Sequence, residues 1–392
     1  MNNQILKDFS FSAVSAGFIA VLVGFASSAA IVFQAAVAAG ADREQIESWI
    51  WALGIGMGAC SLVLSAWYKR PIIIAWSTPG AALIAVSLSD GNIAQSIGTF
   101  VFVGLLIFLV GVTGLFNRIV RVIPTSLACA MLAGILVQFG IDIFASLNDM
   151  PLLVISMLIS FLLAKRIAPR YTIPIVLIVG VAFCSFAQII HVDHLSLSIA
   201  SPVWVTPTLS LTSIIGIGIP LFIVTMTSQN LPGVAILKGS GYQSQPVSPI
   251  ISATGITTMI LAPFGGFTFN LAAITAAICT STESNEDADK RYIAGISVGV
   301  FNIIAGIFGT AVVSLFAAFP QAFVAALAGL ALLSTIAASL KTSLEVDSEK
   351  DAAMVTFLMS ASGLSFFGIS SAFWGILLGL VWLYANAKPK AV

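Results

Sequence analysis

Ser77, Thr78 and Pro79 interrupt an apolar run, "PIIIAWSTPG" at 71–80, where a membrane-crossing helix should continue. Pro suits the first turn of a helix, where its missing N–H is no loss, and Ser or Thr just before it is a strong N-cap. These residues predict a helix that starts in the middle of the apolar segment, with Gly80 in its first turn. A helix start presents unpaired N–H groups and roughly half an elementary positive charge, so it can hold an anion without any Lys or Arg. A second such junction is "GGFTFNLAAITAAI" at 265–278, with Thr268 before the turn and Asn270 at the expected cap position. A third polar cluster, Thr227, Ser228, Gln229 and Asn230 ahead of Pro232, also lies in an apolar span. Amides at such depth bond either a ligand or a neighbouring helix. Trp76, Phe264, Phe267 and Phe269 flank these positions as a ring-binding wall or as ordinary membrane core.

The rest of the sequence offers little reactive chemistry. No Asp or Glu falls near the middle of an apolar span; Asp142 and Glu283 lie toward span ends. Proton pumps usually bury a carboxylate, so a coupled proton has no evident carrier unless a carboxylate substrate brings its own. His191 and His194 in "HVDH" read as solvated loop residues. Cys60, Cys129, Cys184 and Cys279 are isolated in apolar segments and read as small filler, with neither disulfide nor ligand spacing. No metal site, cofactor or catalytic constellation is expected, and the chain does not read as an enzyme.

The elements that would position these residues follow from composition. Of 392 residues 59% are hydrophobic and 8% charged, with a mean hydropathy of +1.07. A soluble domain carries about 25% charged residues, so most of this chain faces lipid or other membrane helices. Zero net charge removes the case for nucleic-acid binding. The first ten residues are polar and lack the pattern of a cleaved signal. Apolar spans fall at about 13–39, 48–67, 72–88, 93–116, 125–147, 151–164, 171–190, 212–237, 248–264, 265–281, 292–317, 319–340, 352–367 and 368–385. With both termini cytoplasmic, fifteen of the sixteen basic residues lie inside and only Arg43 outside, as the positive-inside rule requires of an even span number. "HLSLSIASPVWVTPTLSL", 194–211, alternates apolar and polar residues and predicts a short outer hairpin.

Two sevenfold halves would lie in opposite orientation, a common transporter plan. "FASSAAIVFQAAVAAG" from Phe25 and "MTSQNLPGVAILKGSG" from Met226 correspond weakly; "STPGAALIA" at 77–85 overlays "FTFNLAAIT" at 267–275, pairing Thr78 with Thr268 and Ala82 with Ala272. Residues 72–76, extended at ~3.3 Å each, cover roughly 16 Å, and 79–88 as helix about 15 Å more. The sum crosses the ~30 Å hydrocarbon core with the helix starting at its midplane. Extended backbone there must be buried in protein or line a cavity. A Pro kink in one continuous helix is the simpler alternative for either segment alone.

"AWSTPGAALI", "TSQNLPGVAIL" and "GGFTFNLAAITAAI" resemble the marked segments of the benzoate transporter (BenE) family, over nearly the whole chain. That family is similar to the uracil/xanthine and sulfate permeases. The resemblance implies an all-α polytopic membrane protein with 14 transmembrane segments in two inverted repeats of seven, segments 3 and 10 being half strand and half helix. It implies a core domain at 1–122 and 210–318 and a gate domain at 123–209 and 319–392. Substrate would face Trp76, Ser77, Thr78, Gly80, Gln229, Asn230, Thr268 and Asn270, together with the rings of Phe267 and Phe269. Nucleobase permeases carry glutamates where Gln229 and Asn270 align, and the amides here favour an anionic substrate. The implied activity is proton-coupled benzoate import across a bacterial inner membrane, with the core shifting against the gate. The same scaffold moving another anion, an inorganic oxyanion or aliphatic acid, stays open, as does a homodimer.

Overall fold

The computed structural model describes residues 7–88, 92–116, 118, 124–190, 198–243 and 246–385. In chain order these form α1 (Phe11–Ala38), α2 (Arg43–Tyr68), β1 (Ile74–Trp76), α3 (Thr78–Ser87), α4 (Ile93–Thr113), α5 (Thr125–Ala145), α6 (Pro151–Ile167) and α7 (Thr172–Phe186). The second half comprises α8 (Leu211–Gly239), α9 (Val247–Leu261), β2 (Phe269–Leu271), α10 (Ile274–Thr280), α11 (Tyr292–Ile307), α12 (Gly309–Ala318), α13 (Gln321–Ser343), α14 (Lys350–Ala361) and α15 (Ser371–Ala385). Among the described residues eight helices are long and apolar enough to cross a membrane, which makes this a multi-pass membrane protein.

Local sequence explains the boundaries that matter. Asp42 and Gln45 close a capping box that starts α2, each side chain taking the other's backbone N–H at 2.9 Å. Gly114, at φ +69°, ends α4. Within α8 two stretches of wider π-type turns occur, Ile214–Gly218 and Thr225–Asn230, and the second contains the whole polar cluster before Pro232. Such turns concentrate at functional sites in helices.

β1 and β2 pair antiparallel, with Ile74 opposite Leu271, Ala75 opposite Asn270 and Trp76 opposite Phe269. Ser77 N–H to the Thr268 carbonyl (3.1 Å) and Ala272 N–H to the Ile73 carbonyl (2.9 Å) extend the ladder. The outward-facing amides are met by side chains of the surrounding helices. Ser61 of α2 accepts from Ile74 N–H at 2.9 Å, Thr258 of α9 from Phe269 N–H at 3.1 Å, and Asn230 of α8 from Leu271 N–H at 2.9 Å. Every one of these polar residues is fully buried, so strand backbone at this depth is satisfied without water. Glycine makes the fit possible: a Cβ on Gly56 of α2 would collide with the Phe269 ring.

The helices pack in two groups. α2 lies on α11, α4 on α9 and α1 on α11 and α3, whereas α5 lies on α13 and α14, α6 on α7 and α14 on α15.

Three expectations need correction. The second junction lies later than the sequence suggested: Asn270 is mid-strand opposite Ala75, α10 begins at Ile274, and Ala273 stands at its cap with no side-chain bond. The overlay of Thr78 on Thr268 thus sets the first residue of α3 against a residue that precedes β2, six residues before α10. The span at 292–317 is broken at Phe308 into α11 and α12. Residues 198–210 form no hairpin; Pro202 and Pro207 cannot donate to a ladder, and Ala200, Val205 and Thr208 N–H groups instead bond the Ile307, Pro263 and Ala94 carbonyls. "HVDH" at 191–194, Arg121 and the tail lysines Lys388 and Lys390 lie outside the described residues.

Candidate functional site

The β1–α3 junction is built as a capped helix start. Ser77 Oγ accepts the Gly80 N–H at 3.0 Å, Thr78 is the first helical residue and Pro79 follows it. Trp76 is held just ahead of this start. Its indole N–H donates to Ser28 Oγ at 2.9 Å, its backbone N–H meets the Met57 sulfur at 3.1 Å, and the Phe25 ring stands edge-on to it at 4.9 Å. On the π-type turn of α8 the Thr227 and Ser228 hydroxyls donate back to the Ile223 and Val224 carbonyls, which leaves Gln229 as the group with free hydrogen-bonding capacity.

A cavity of ≈ 260 Å³ opens between these parts. Trp76, Thr78 and Pro79 form one side, Ser228 and Gln229 of α8 another, and residues 272–275 face them. α1 contributes Gly24, Phe25, Ser27 and Ser28, and α13 contributes Ala331, Leu332 and Thr335. The volume is below the usual range for drug-sized ligands, about 300–1,000 Å³, and suits a small molecule. No charged side chain lines it among the described residues. It offers aromatic faces, hydroxyls, an amide and the Thr78 N–H at the positive end of a helix, which is the chemistry of a small, partly apolar anion.

A second cavity of ≈ 670 Å³ shares Val23, Ser27, Ile274 and Ala331 with the first. Lys165 of α6 and Glu283 after α10 line it. The two spaces are thus adjacent, with the charges on the side of the larger.

Of the residues expected to face substrate, Trp76, Thr78 and Gln229 line the first cavity. Ser77, Gly80, Asn230, Thr268, Asn270, Phe267 and Phe269 lie behind it, fully buried in the scaffold. Ser77 caps α3, Gly80 receives that cap, and Asn230 holds β2. Thr268 Oγ1 lies 3.3 Å from Thr225 Oγ1. Asn270 donates to the Leu271 carbonyl at 3.0 Å, while its own side-chain oxygen has no partner among the described residues. Phe267 packs on Trp49 and Phe100, and Phe269 against Gly56. Phe264, half-buried, packs on Trp51 and Trp204.

The family described as benzoate membrane transport protein, BenE, matches residues 7–385. The chain belongs to the BenE family. It is 42% identical over 385 residues to the benzoate membrane transport protein of Acinetobacter baylyi, covering 98% of both chains. It is 47% identical over 364 residues to the inner membrane protein YdcO of Escherichia coli K12, covering 93% of both. Among solved structures it superposes on the transmembrane domain of the cyanobacterial bicarbonate transporter BicA with a TM-score of 0.60 and 14% identity, over 97% of this chain and 99% of that one. Murine Slc26a9, an anion transporter in its inward-facing state, gives 0.61 and 14%, over 97% and 70%. At such identity these two establish the fold alone. As a member of that family this chain is a membrane transport protein, not an enzyme.

Several residues lining the candidate site of this BenE-family chain escaped the sequence reading. Phe25, Ser27 and Ser28 belong to "FASSAAIVF", which served only as a repeat match. Asn302 is a lone amide in the apolar "GVFNIIAGIF" of α11, and an amide at such depth is itself a functional signal. Thr275 and Thr335 carry no such signal, since isolated threonines are ordinary in membrane helices.

Proposed function

We propose that the chain is a secondary transporter that imports benzoate or a related aromatic carboxylate across a bacterial inner membrane, with a proton as coupling ion. The observation that carries this reading is the composition of the ≈ 260 Å³ cavity: aromatic faces from Trp76 and Phe25, hydrogen-bonding groups from Thr78 and Gln229, and no charged side chain among the described residues. The carboxylate faces the first turn of α3, with Gln229 and the start of α10 across from it, and the ring lies on Trp76. Ser77, Gly80, Asn230, Thr268, Asn270, Phe267 and Phe269 hold that geometry from behind. With no titratable group among the described lining residues, the proton travels on the substrate carboxylate.

The transport architecture in this proposal has 14 segments in two inverted sevens, α11 with α12 counting as one, and both termini cytoplasmic. Core and gate divide at 1–122 with 210–318 and 123–209 with 319–392, in keeping with the two packing groups of helices. The core moves against the gate, alternately exposing the cavity between α1 and α13. Another anion on the same scaffold is the competing reading, favoured by the absence of any group that reads a ring substituent on the α3 side.

Uptake of labelled benzoate into proteoliposomes tests this. Accumulation above that of protein-free vesicles is expected when the outside is acidic, and its loss is expected when an uncoupler collapses the gradient. Uptake no greater than in protein-free vesicles rejects benzoate as substrate, and accumulation that survives the uncoupler rejects the proton.

A further inference from the structure

Thr78, Gln229, Thr275, Asn302 and Thr335 line the cavity with side chains that make no hydrogen bond among the described residues. Four of them are partly exposed and can share water. Asn302 is 5% exposed, so its donors and acceptor depend on whatever fills the cavity.

The packing of α11 fixes where this amide stands. α2 and α11 approach through glycines, and a Cβ on Gly54 would lie 2.8 Å from the Asn302 carbonyl oxygen. That contact sets Asn302 within a turn of Met57, which lines the same cavity. α11 packs on α1, α2 and α12, whereas the polar turn of α8 packs on β2, α3 and α5. Asn302 and Gln229 therefore belong to different walls, and Trp76, bonded through its backbone N–H to the Met57 sulfur, joins them.

We propose that Asn302 reads a polar substituent on the substrate ring, so that the preferred substrate is an aromatic carboxylate bearing a hydroxyl or amino group. This rests on the aromatic-carboxylate reading above and narrows it. A bare ring edge leaves the buried amide unpaired, which is costly in a dry site. A hydroxyl is donor and acceptor at once and answers both ends of the amide. A site built to bond such a group rejects the analogue that lacks it.

Calorimetric titration of the purified full chain with benzoate, 3-hydroxybenzoate, 4-hydroxybenzoate and 4-aminobenzoate tests the assignment. At least one substituted acid should bind about tenfold tighter than benzoate. Asn302→Leu should erase that preference, bringing the four acids to within about twofold of one another, and Asn302→Ala gives the same comparison if the leucine variant is not monodisperse. Benzoate binding as tightly as every substituted acid to the unaltered protein overturns the inference, as does a preference retained in either variant. Failure to bind any of the four acids overturns the aromatic-carboxylate reading itself; binding of all four without the preference overturns this narrower inference alone.

Discussion

Gln229 and Asn230 are adjacent amides with different tasks. Gln229 points its side chain at the cavity, while Asn230 takes the Leu271 N–H at 2.9 Å and is fully buried. Replacing Asn230 by Leu strands a buried donor, for which the typical cost is about 1–3 kcal/mol. Asn230→Leu should therefore lower thermal stability in detergent, whereas Gln229→Leu and Thr78→Val should weaken benzoate binding with little change in melting temperature. Equal losses of stability in Gln229→Leu and Asn230→Leu would contradict this division. The sequence displayed the whole polar cluster but not this split, because Asn230 serves a strand edge about forty residues away in sequence. The same limit hid Ser61 and Thr258, which read as ordinary polar helix residues until the strand they satisfy is in place.

At the scale of elements, the interruption in the third apolar segment was legible because cap, proline and length arithmetic agree there. Ser77 Oγ takes the Gly80 N–H, as its position before Thr78 and Pro79 implies. The second junction was misplaced because Asn270, a cap-type residue, lies mid-strand opposite Ala75, and α10 starts four residues later at Ile274 with no side-chain cap of its own. A residue-type signal points to a helix start only when that residue stands at the cap position. Ser77→Ala should cost about 1 kcal/mol of stability, the usual value for a lost cap, and Ser77→Thr should restore most of it. Unfolding curves for the three proteins check this, and an alanine variant as stable as the parent would mean the cap is idle.

For the molecule as a whole, hydropathy and the placement of basic residues were enough to read a polytopic membrane protein, while the packing that makes a site was not. The cavity lies where α1, which packs on α3 and α11, meets α13, which packs on α5. Ser27 of α1 and Ala331 of α13 line both cavities, so they stand where the site borders the space lined by Lys165. If transport requires the core to move against the gate, tying these two positions together should stop it without removing the site. The test is a Ser27→Cys, Ala331→Cys pair in a background with Cys60, Cys129, Cys184 and Cys279 replaced by Ala, treated with a short reducible bis-thiol reagent. Cross-linking should abolish most benzoate uptake into proteoliposomes, leave binding measured by calorimetry largely intact, and be reversed by reductant. Full uptake in the cross-linked protein would mean that α1 and α13 stay fixed while substrate passes, and the moving boundary would then have to lie between other helices.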